Sequence, residues 1–290
     1  MTTFRVNHKI FDAHFHIGPW GTQSFDGHII TPMPGMGGIV EDHGVGADCA
    51  AYFERHGISC GLVVPTYLTN PTAAFGYNTL VLDAITEVET LFGGLWVSPM
   101  VDVQELNEKT LAMLPQPKIR ALKIASNSWG AAGINPKEWT PQIRHNMESI
   151  LDAAHRHQLP IQFHTGYLPG SDPLDFEAFM HEYGQAATYH LVHMGEAIAP
   201  AFRFVPRFIQ WLKLGYDVYT DTSIVPGFGP SWLVHECQQA GIGLDRILFA
   251  TDTPWGRFPS EYWKVAGIEV AEDVKELIFW RNAQALYNKV

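Results

Sequence analysis

The feature that most constrains the fold of this chain is a regular alternation of short apolar segments with longer amphipathic ones. Eight segments have the length and apolar content of buried β-strands, and they lie at 10–16, 58–67, 93–102, 119–126, 159–166, 188–195, 217–224 and 246–252. The last four begin 29 residues apart, close to the roughly 30 residues of one strand-plus-helix unit. Because no linker interrupts this spacing, the pattern predicts an α/β fold, a single (β/α)8 barrel over residues 1–290.

Apolar residues at helical spacing separate these strands, most clearly at 78–91, 142–158, 201–214 and 231–240. The alternative fold is an open doubly wound sheet, which typically has a glycine-rich phosphate-binding turn directly after its first strand. The nearest candidate is Gly35-Met-Gly-Gly-Ile-Val40, but it has Val40 in place of the third glycine and follows no predicted strand. The barrel is therefore the better prediction.

Residues 17–45 interrupt the pattern between the first and second strands. This segment is rich in Gly, Pro and Met, shows no helical or strand period, and is too long for an ordinary connection. We expect a lid over the barrel mouth that shapes substrate choice, with Trp20 as an apolar substrate contact. An insertion without a function is the alternative.

Charge and cysteine usage limit the classes of partner. The chain has 19 Lys and Arg against 30 Asp and Glu, a net charge of −11, and no basic run, so it has no electrostatic footprint for nucleic acid or an anionic membrane surface. No apolar run approaches the roughly 18 residues of a membrane span. The three cysteines form no CxxC pattern and the N-terminal segment lacks an apolar signal-peptide core, which favours a reducing, cytoplasmic compartment. We expect a small-molecule partner and leave a homo-oligomer open.

Polar residues at the predicted strand ends are the candidates for chemistry, because barrel enzymes build their active sites at the carboxyl ends of the strands. The first strand ends in Asp12, His14 and His16, and alternate residues of a strand face the same side, here the barrel interior. A His-x-His pattern alone says little, since 14 His in 290 residues give about 0.7 by chance. A second one, His155 and His157, ends a predicted helix, where the imidazoles can instead interact with helix carbonyls.

The joint placement of the other strand-end residues gives the first His-x-His its weight. His164 ends the fifth strand, His193 ends the sixth and Asp252 ends the eighth. Imidazoles and a carboxylate at one rim suit Zn²⁺ or a similar divalent ion. The residues alone therefore predict a metal centre at the carboxyl ends of the strands.

Several motifs extend this prediction to a family. They are FDAHFHIGP at the first strand, LPIQFHTG at the fifth, HLVHMG at the sixth, DTS at the seventh, ILFATDTPWG at the eighth and RNAQALY in the last helix. Over nearly its whole length the chain resembles the amidohydrolase superfamily, specifically the amidohydrolase-related group of metal-dependent decarboxylases, hydratases and lactonases. The resemblance implies that His14, His16, His164 and Asp252 hold one divalent ion, Zn²⁺ with Mn²⁺ as the alternative. It also implies that His193 stands beside the ion as an acid/base or carbonyl-polarising residue.

Further residues are candidates for supporting roles. Lys123 lies inside the fourth strand. Some amidohydrolases carbamylate such a lysine to bridge two metals, but members of the group that this chain resembles generally look mononuclear. We therefore expect Lys123 to neutralise a carboxylate of the site or of the substrate. Arg257 and Trp255, in the loop after the eighth strand, could contact a substrate anion and wall the pocket, and an exposed arginine is the alternative. Asp12 and Asp221 could support the site from behind, Asp12 as an acceptor for a ligand imidazole N–H.

Two other polar residues lie close to these strand ends. His190, three positions before His193, should face the opposite side of the strand and serve packing. Ser223 is a weaker candidate for the pocket wall.

Two reactions fit such a centre. A metal lowers the pKa of its bound water towards about 7 and polarises a carbonyl, which suits hydrolysis of a lactone, ester or amide. Asp252 would take the water's proton, and His193 would support the oxyanion or protonate the leaving group. The alternative is lyase chemistry, above all non-oxidative decarboxylation, in which Asp252 delivers a proton to carbon; a hydratase belongs to the same class.

Decarboxylation requires firm carboxylate binding, and the first 118 residues contain only Arg5 and Arg55. The lid-like segment therefore offers no guanidinium clamp of its own, and we expect hydrolysis. A non-catalytic or metal-free relative is the third interpretation, because one fold hosts many functions.

Overall fold

The computed structural model describes residues 6–18, 23–25, 28–30, 45–66 and 71–287. The strands, in chain order, are β1 (Phe11–Ile17), β2 (Gln23–Phe25), β3 (His28–Ile30), β4 (Cys60–Pro65), β5 (Leu91–Trp96), β6 (Ile119–Ile124), β7 (Ile161–His164), β8 (Tyr189–Val192), β9 (Val218–Asp221) and β10 (Ile247–Leu248). Strand β1 and strands β4 to β10 form one parallel sheet in the order of the sequence. All eight predicted barrel strands are present.

Hydrogen bonds between the first and last strands join the two edges of this sheet. Phe15 pairs in parallel with Thr253, a few residues beyond β10. The amide of Ala13 donates to the Phe249 carbonyl at 3.0 Å, and the amide of His16 donates to the Thr253 carbonyl at 2.9 Å. The fold is therefore the (β/α)8 barrel that the sequence predicts, and the carboxyl ends of its strands meet at one mouth.

Helices follow the strands around the outside of the barrel. They are α1 (Gly46–His56), α2 (Pro71–Glu87), α3 (Gln104–Leu111), α4 (Pro141–His157), α5 (Asp175–Tyr183), α6 (Ile198–Lys213), α7 (Gly229–Ala240), α8 (Phe258–Ala266), α9 (Glu272–Glu276) and α10 (Asn282–Tyr287). The four helices predicted from spacing correspond to α2, α4, α6 and α7. Local sequence sets the ends of α4: the Thr140 hydroxyl accepts from the Ile143 amide at 3.3 Å, and Gln158 ends the helix in the left-handed region at φ 54°.

Aromatic side chains pack the helices onto the outer wall of the barrel. Phe179 of α5 lies between Phe163 of β7 and Tyr189 of β8, with ring centroids 5.2 and 5.6 Å away. All three side chains are buried. Burial of each contributes about 1.5–3 kcal/mol relative to exposure, so this side of the barrel is fixed mainly by apolar packing.

The three cysteines pack in or against the apolar core. Cys49 and Cys237 are buried and Cys60 is half-buried, and none of the three forms a disulfide. Burial raises the pKa of each thiol to about 12, so these side chains act as small apolar groups. Within the part of the chain that the structure describes, no helix combines the length and apolarity needed to cross a membrane.

The segment 17–45 contains structure that its sequence did not predict. Strands β2 and β3 pair in an antiparallel ribbon, Gln23 with Ile30 and Phe25 with His28. Three residues per strand are too few to show a period of two, which is why the pattern was missed. Trp20 and most of the predicted lid lie outside the described residues, so the lid and its substrate contact stay predictions.

Candidate metal centre

Polar side chains from four strands meet at the mouth of the barrel. His14 and His16 lie on β1, and His164 is the last residue of β7. His193 begins the turn after β8, and Asp252 follows β10 by four residues. All five are buried, with His164 the most accessible at 8%. The structure thus places the predicted candidates at one end of the barrel.

One carboxylate oxygen is the point on which three imidazoles converge. Oδ1 of Asp252 lies 3.0 Å from Nε2 of His16, 3.5 Å from Nε2 of His14 and 3.8 Å from Nε2 of His193. The rings of His14 and His193 stack with centroids 4.9 Å apart. The ligand atoms of His14, His193 and Asp252 lie within 4.8 Å of one another, so these three residues could hold a metal ion.

The hydrogen-bond partners of His16 show that this centre fits a cation. Nδ1 of His16 is 3.0 Å from the Pro65 carbonyl oxygen, which can only accept, so Nδ1 carries the proton of the neutral ring and Nε2 carries none. An unprotonated nitrogen and a carboxylate oxygen of Asp252 therefore face each other at 3.0 Å. Two such acceptors require either a proton or a cation between them, and imidazole nitrogens with a carboxylate suit a divalent metal.

The pKa values at the centre follow from its burial. Burial lowers the pKa of His16 to about 3, with the Lys123 charge adding to the effect. Burial likewise lowers the pKa of His14 and of His193 well below the usual value. Burial raises the pKa of Asp252 well above its usual value, although Lys123 opposes the shift. In the metal-free protein the imidazoles are therefore neutral, and the proton of the centre resides on Asp252.

His164 and His193 lie next to each other at the edge of the centre. The Nε2 atom of His164 is 4.0 Å from Oε2 of Glu196, and its ring packs edge-to-face on His193 at 5.1 Å. His193, which the resemblance places beside the metal, has its ligand atom close enough to those of His14 and Asp252 to share a metal ion with them. The ligand set His14, His16, His164 and Asp252 stays a prediction.

Lys123 is a buried cation inside the centre. Its Nζ atom lies 3.2 Å from Nε2 of His14, and the side chain is fully buried. Burial lowers its pKa to about 7, against the attraction of Asp252 and Asp221. A lysine in this position can therefore neutralise the carboxylates of the site, as the sequence analysis expected, and can lose its proton near neutral pH.

Glu196 is a site residue that the sequence analysis missed. Its carboxylate faces His164, and burial together with the Asp252 charge raises its pKa to about 7. Gly166 makes room for it, since a Cβ there would lie 2.6 Å from Glu196 Oε2 and 3.0 Å from His164 Nε2. The available signal was position: Glu196 follows His193 by three residues in the same strand-end turn, at φ 67°.

Asp12 and Asp221 lie behind the centre in different hydrogen-bond networks. The carboxylate of Asp12 accepts from the Thr251 amide at 2.9 Å and from the Thr251 hydroxyl at 2.6 Å, so it ties β1 to the end of the last strand rather than orienting a ligand ring. Burial raises its pKa to about 7. Asp221 lies closer to the imidazoles, with Oδ2 4.0 Å from Nδ1 of His14.

His190 belongs to the polar interior, so the prediction that it only packs on the opposite strand face is wrong. Its Nε2 lies 3.0 Å from Oδ2 of Asp221, and its Nδ1 lies 2.6 Å from the hydroxyl of Tyr287 in α10. The reason is local geometry. Strand β8 ends at Val192 and His193 takes φ 71°, which breaks the alternation that would have separated the two side chains.

The remaining pocket candidates lie at the rim. Trp255 is 44% exposed, and its amide donates to the Asp252 carbonyl at 2.8 Å. Arg257 is exposed and lines a cleft of about 230 Å³ together with Tyr52, Arg55, His56 and Pro254. This cleft borders the loop after β10, and the contact of Arg257 with a substrate stays a prediction.

The fold is a closed (β/α)8 barrel, and a buried cluster of imidazoles and a carboxylate lies at its mouth. These two features place the chain among the barrel proteins that can bind a metal ion at the carboxyl ends of their strands. The chain belongs to the amidohydrolase family, whose model matches residues 12–289. A search of curated proteins finds no match.

Solved structures of similar fold include hydrolases and decarboxylases. A crystal structure of a probable 2-pyrone-4,6-dicarboxylic acid hydrolase from Acinetobacter baumannii matches 97% of this chain and 100% of that one, with 14% identity and a TM-score of 0.68. The 5-carboxyvanillate decarboxylase of Novosphingobium aromaticivorans, with bound manganese, matches 98% of both chains at 15% identity and a TM-score of 0.69. The 2,6-dihydroxybenzoate decarboxylase from Rhizobium matches 97% of this chain and 99% of that one at 14% identity and a TM-score of 0.62. At these identities the likeness establishes the fold alone.

Proposed function

We propose that this protein is a metal-dependent hydrolase that cleaves a carbonyl-type bond, a lactone, ester or amide, of a small molecule. The observation that carries the proposal is the convergence of three imidazole Nε2 atoms, on His14, His16 and His193, on one buried oxygen of Asp252 at 3.0 to 3.8 Å. The amidohydrolase family model matches residues 12–289, which supports the assignment.

The residues of the centre would have separate roles in hydrolysis. A divalent ion bound there would supply Lewis-acid polarisation of the carbonyl and acidify a water. Asp252, whose pKa is raised by burial, is suited to accept the proton of the attacking water and to return it to the leaving group. Lys123, the buried cation beside His14, can face the negative charge that develops on the substrate oxygen.

The buried cations near the centre favour hydrolysis over decarboxylation. Among the described residues no arginine is buried, and Lys123 is the one buried lysine. A substrate carboxylate that must be held firmly during loss of CO₂ is usually gripped by the bidentate fork of an arginine. A single lysine at the centre suits a carbonyl oxygen better than a chelated carboxylate.

Decarboxylation is the second candidate, and Glu196 is the observation that favours it. A carboxyl group with its pKa raised to about 7, close to His164 and Asp252, is a plausible store for the proton that must reach carbon. Two of the three structural neighbours described above are named as decarboxylases. A hydratase would use the same groups.

The identity of the metal and the assembly of the protein follow the same reasoning. We propose one Zn²⁺ per chain, because imidazoles with one carboxylate suit zinc, with Mn²⁺ as the alternative since the Novosphingobium neighbour binds manganese. The partner would be a small molecule. The cytoplasmic compartment and a homo-oligomer stay predictions.

Metal analysis followed by a substrate screen tests the proposal. We expect about one equivalent of divalent metal per chain and turnover of a lactone, ester or amide in a panel that also contains hydroxyaryl carboxylates. Asp252→Asn, reconstituted to full occupancy, should be slower by at least roughly 100-fold.

Each alternative has its own signature in these measurements. Two metal equivalents or a carbamylated Lys123 would contradict the mononuclear centre. Wild-type rates from the fully loaded Asp252→Asn protein would remove the proton-transfer role. Turnover of hydroxyaryl carboxylates alone, abolished by Glu196→Gln, would replace the hydrolase with the decarboxylase.

A further inference from the structure

The end of β9 contributes a hydrogen-bonded pair that touches the centre from behind. Ser223 Oγ lies 2.6 Å from Oδ1 of Asp221 and 2.7 Å from Nδ1 of His193. All three side chains are buried. The serine hydroxyl therefore bridges a carboxylate and the imidazole that faces Asp252.

The direction of these hydrogen bonds follows from counting protons at Asp221. Its Oδ1 atom accepts from the His193 amide at 3.1 Å and from the Ser223 amide at 3.0 Å. Two backbone N–H groups already donate to Oδ1, so this oxygen carries no proton and can only accept.

A serine hydroxyl has one hydrogen, and at 2.6 Å from an oxygen that can only accept, that hydrogen belongs to the bond with Asp221 Oδ1. The contact between Ser223 Oγ and His193 Nδ1 at 2.7 Å must then be donated by the ring. The proton of the neutral imidazole is consequently on Nδ1. Nε2, the atom 3.8 Å from Asp252 Oδ1, carries no hydrogen.

We propose that Ser223 is a positioning residue that locks His193 in the Nδ1–H tautomer and so presents an unprotonated Nε2 to the metal centre. His193 then starts a catalytic cycle as a ligand or a proton acceptor. It becomes a proton donor only after it has taken a proton from the centre. The tautomer is a property of the chain itself, whereas its catalytic meaning rests on the proposed function.

The backbone beside Ser223 is held in a strained conformation. Ile224 has φ 45°, a region that a β-branched residue rarely adopts and that costs about 1–3 kcal/mol. Helix α8 holds it there: Glu261 accepts from the Ile224 amide at 3.0 Å, and Lys264, paired with Glu261, donates to the Val225 carbonyl at 3.0 Å. Strain that is maintained by dedicated contacts next to Ser223 supports a positional role for this serine.

The tautomer can be read directly by NMR in the full-length, chelator-treated chain. Two-bond ¹H–¹⁵N correlations of the histidine rings distinguish protonated from unprotonated nitrogens, and His193→Gln and His190→Gln assign the two signals. We expect His193 with its proton on Nδ1. His190 should show the opposite tautomer, because its Nδ1 accepts from the Gln162 side-chain amide at 3.2 Å, and it provides an internal reference in the same spectrum.

Two matched variants test the role of the hydroxyl. Ser223→Ala should abolish the single Nδ1–H pattern of His193 and weaken Mn²⁺ binding roughly 10-fold, as loss of a group that orients a ligand imidazole does. Thr222→Val should change neither, because the neighbouring Thr222 hydroxyl is buried but has no hydrogen-bond partner among the described residues.

A proton on Nε2 in the wild type would overturn the inference without any variant, so it stays testable even if Ser223→Ala folds poorly. An unchanged His193 pattern in folded Ser223→Ala would overturn it as well. The two proposals fail separately: the expected tautomer in a protein without hydrolase activity removes only the proposed function, and activity with the opposite tautomer removes only the role of Ser223.

Discussion

Divalent metal should stabilise the folded protein increasingly as the metal concentration rises above Kd, because the centre exists only in the fold. The ligand atoms of His14, His193 and Asp252 come from three strands that lie far apart in the sequence. The unfolded chain therefore offers no preformed site. The perturbation is removal of all metal with a chelator, followed by titration with Zn²⁺ or Mn²⁺.

The size of the effect follows from linkage. At a free metal concentration of 100 times Kd, binding to the folded state alone adds about 2.7 kcal/mol. A chain of 290 residues has an entropy of unfolding of about 0.6 kcal/mol/K. Tm should therefore rise by about 4 °C at that concentration, and calorimetry or a fluorescence melt would measure it.

The shift should also depend on pH in a definite direction. Burial raises the pKa of Asp252 and lowers the pKa of His14 and His193, so the proton that competes with metal resides on the carboxylate. Raising the pH removes this proton and strengthens binding; lowering the pH restores it and weakens binding. Titration calorimetry in two buffers of different ionisation enthalpy should show release of about one proton per ion at pH values below the raised pKa.

Two control variants make the experiment specific. Asp252→Asn should lose most of the Tm shift. A protein with His155 and His157 both replaced by Ala should keep it, because that second His-x-His lies at the end of α4, away from the barrel mouth. A shift that survives Asp252→Asn, or that disappears when His155 and His157 are replaced, would refute the assignment of the centre.

Three further substitutions test the packing and the buried networks around the site. Burial raises the pKa of Glu261 from 4.5 to about 7, so the folded protein keeps a proton that the unfolded chain releases. The free energy of unfolding should therefore fall by up to about 3 kcal/mol as the pH rises from about 4.5 to 7. Urea unfolding of Glu261→Gln should lack this decrease, and an unchanged slope would contradict it. Tyr287→Phe removes the hydroxyl bonded to His190 but leaves the Gln162 amide 3.2 Å from the same nitrogen. The free energy of unfolding should therefore fall by only about 1 kcal/mol. A decrease above about 3 kcal/mol would show that the hydroxyl is essential. Phe179→Ala should cost about 3–5 kcal/mol in urea unfolding without changing metal affinity, and a changed affinity would mean that the packing of α5 reaches the centre.

The barrel could be predicted from the sequence because its determinants are local. Each parallel strand is an apolar run of a few residues, and each helix has its own apolar stripe, so the eight units are readable one by one. The placement of His14, His16 and Asp252 at one mouth then follows from topology, since parallel strands of a barrel end on the same side. No long-range contact had to be known in advance.

The networks behind the centre could not be predicted in the same way. His190 and His193 both contact Asp221 only because the backbone turns to φ 71° at His193. A histidine at that position does not predict such a turn. Glu196 was not predicted as a site residue for the same reason, because it follows the strand end in an irregular turn. Side chains placed by irregular backbone carry no periodic signal in the sequence.

Backbone strain is concentrated where the chemistry is proposed. Five of the seven described non-glycine residues with positive φ lie after the last three barrel strands, and they are His193, Met194, Glu196, Ile224 and Asp252. Each such conformation costs about 1–3 kcal/mol and persists only where surrounding contacts over-determine it. At Asp252 those contacts are backbone hydrogen bonds: its amide donates to the His14 carbonyl at 2.8 Å, and its carbonyl accepts from the Trp255 amide at 2.8 Å.

The hydrogen bond from the Asp252 amide to the His14 carbonyl also contributes to the closure of the barrel between its first and last strands. The backbone of Asp252 is thus part of the fold, while its carboxylate, the point of convergence of the imidazoles, is part of the proposed centre. Asp252→Asn keeps every backbone hydrogen bond and nearly the same side-chain volume, and it removes the negative charge and the basic oxygen. Any loss of metal or turnover in a variant that still melts cooperatively is therefore assignable to the carboxylate, and not to an opened barrel.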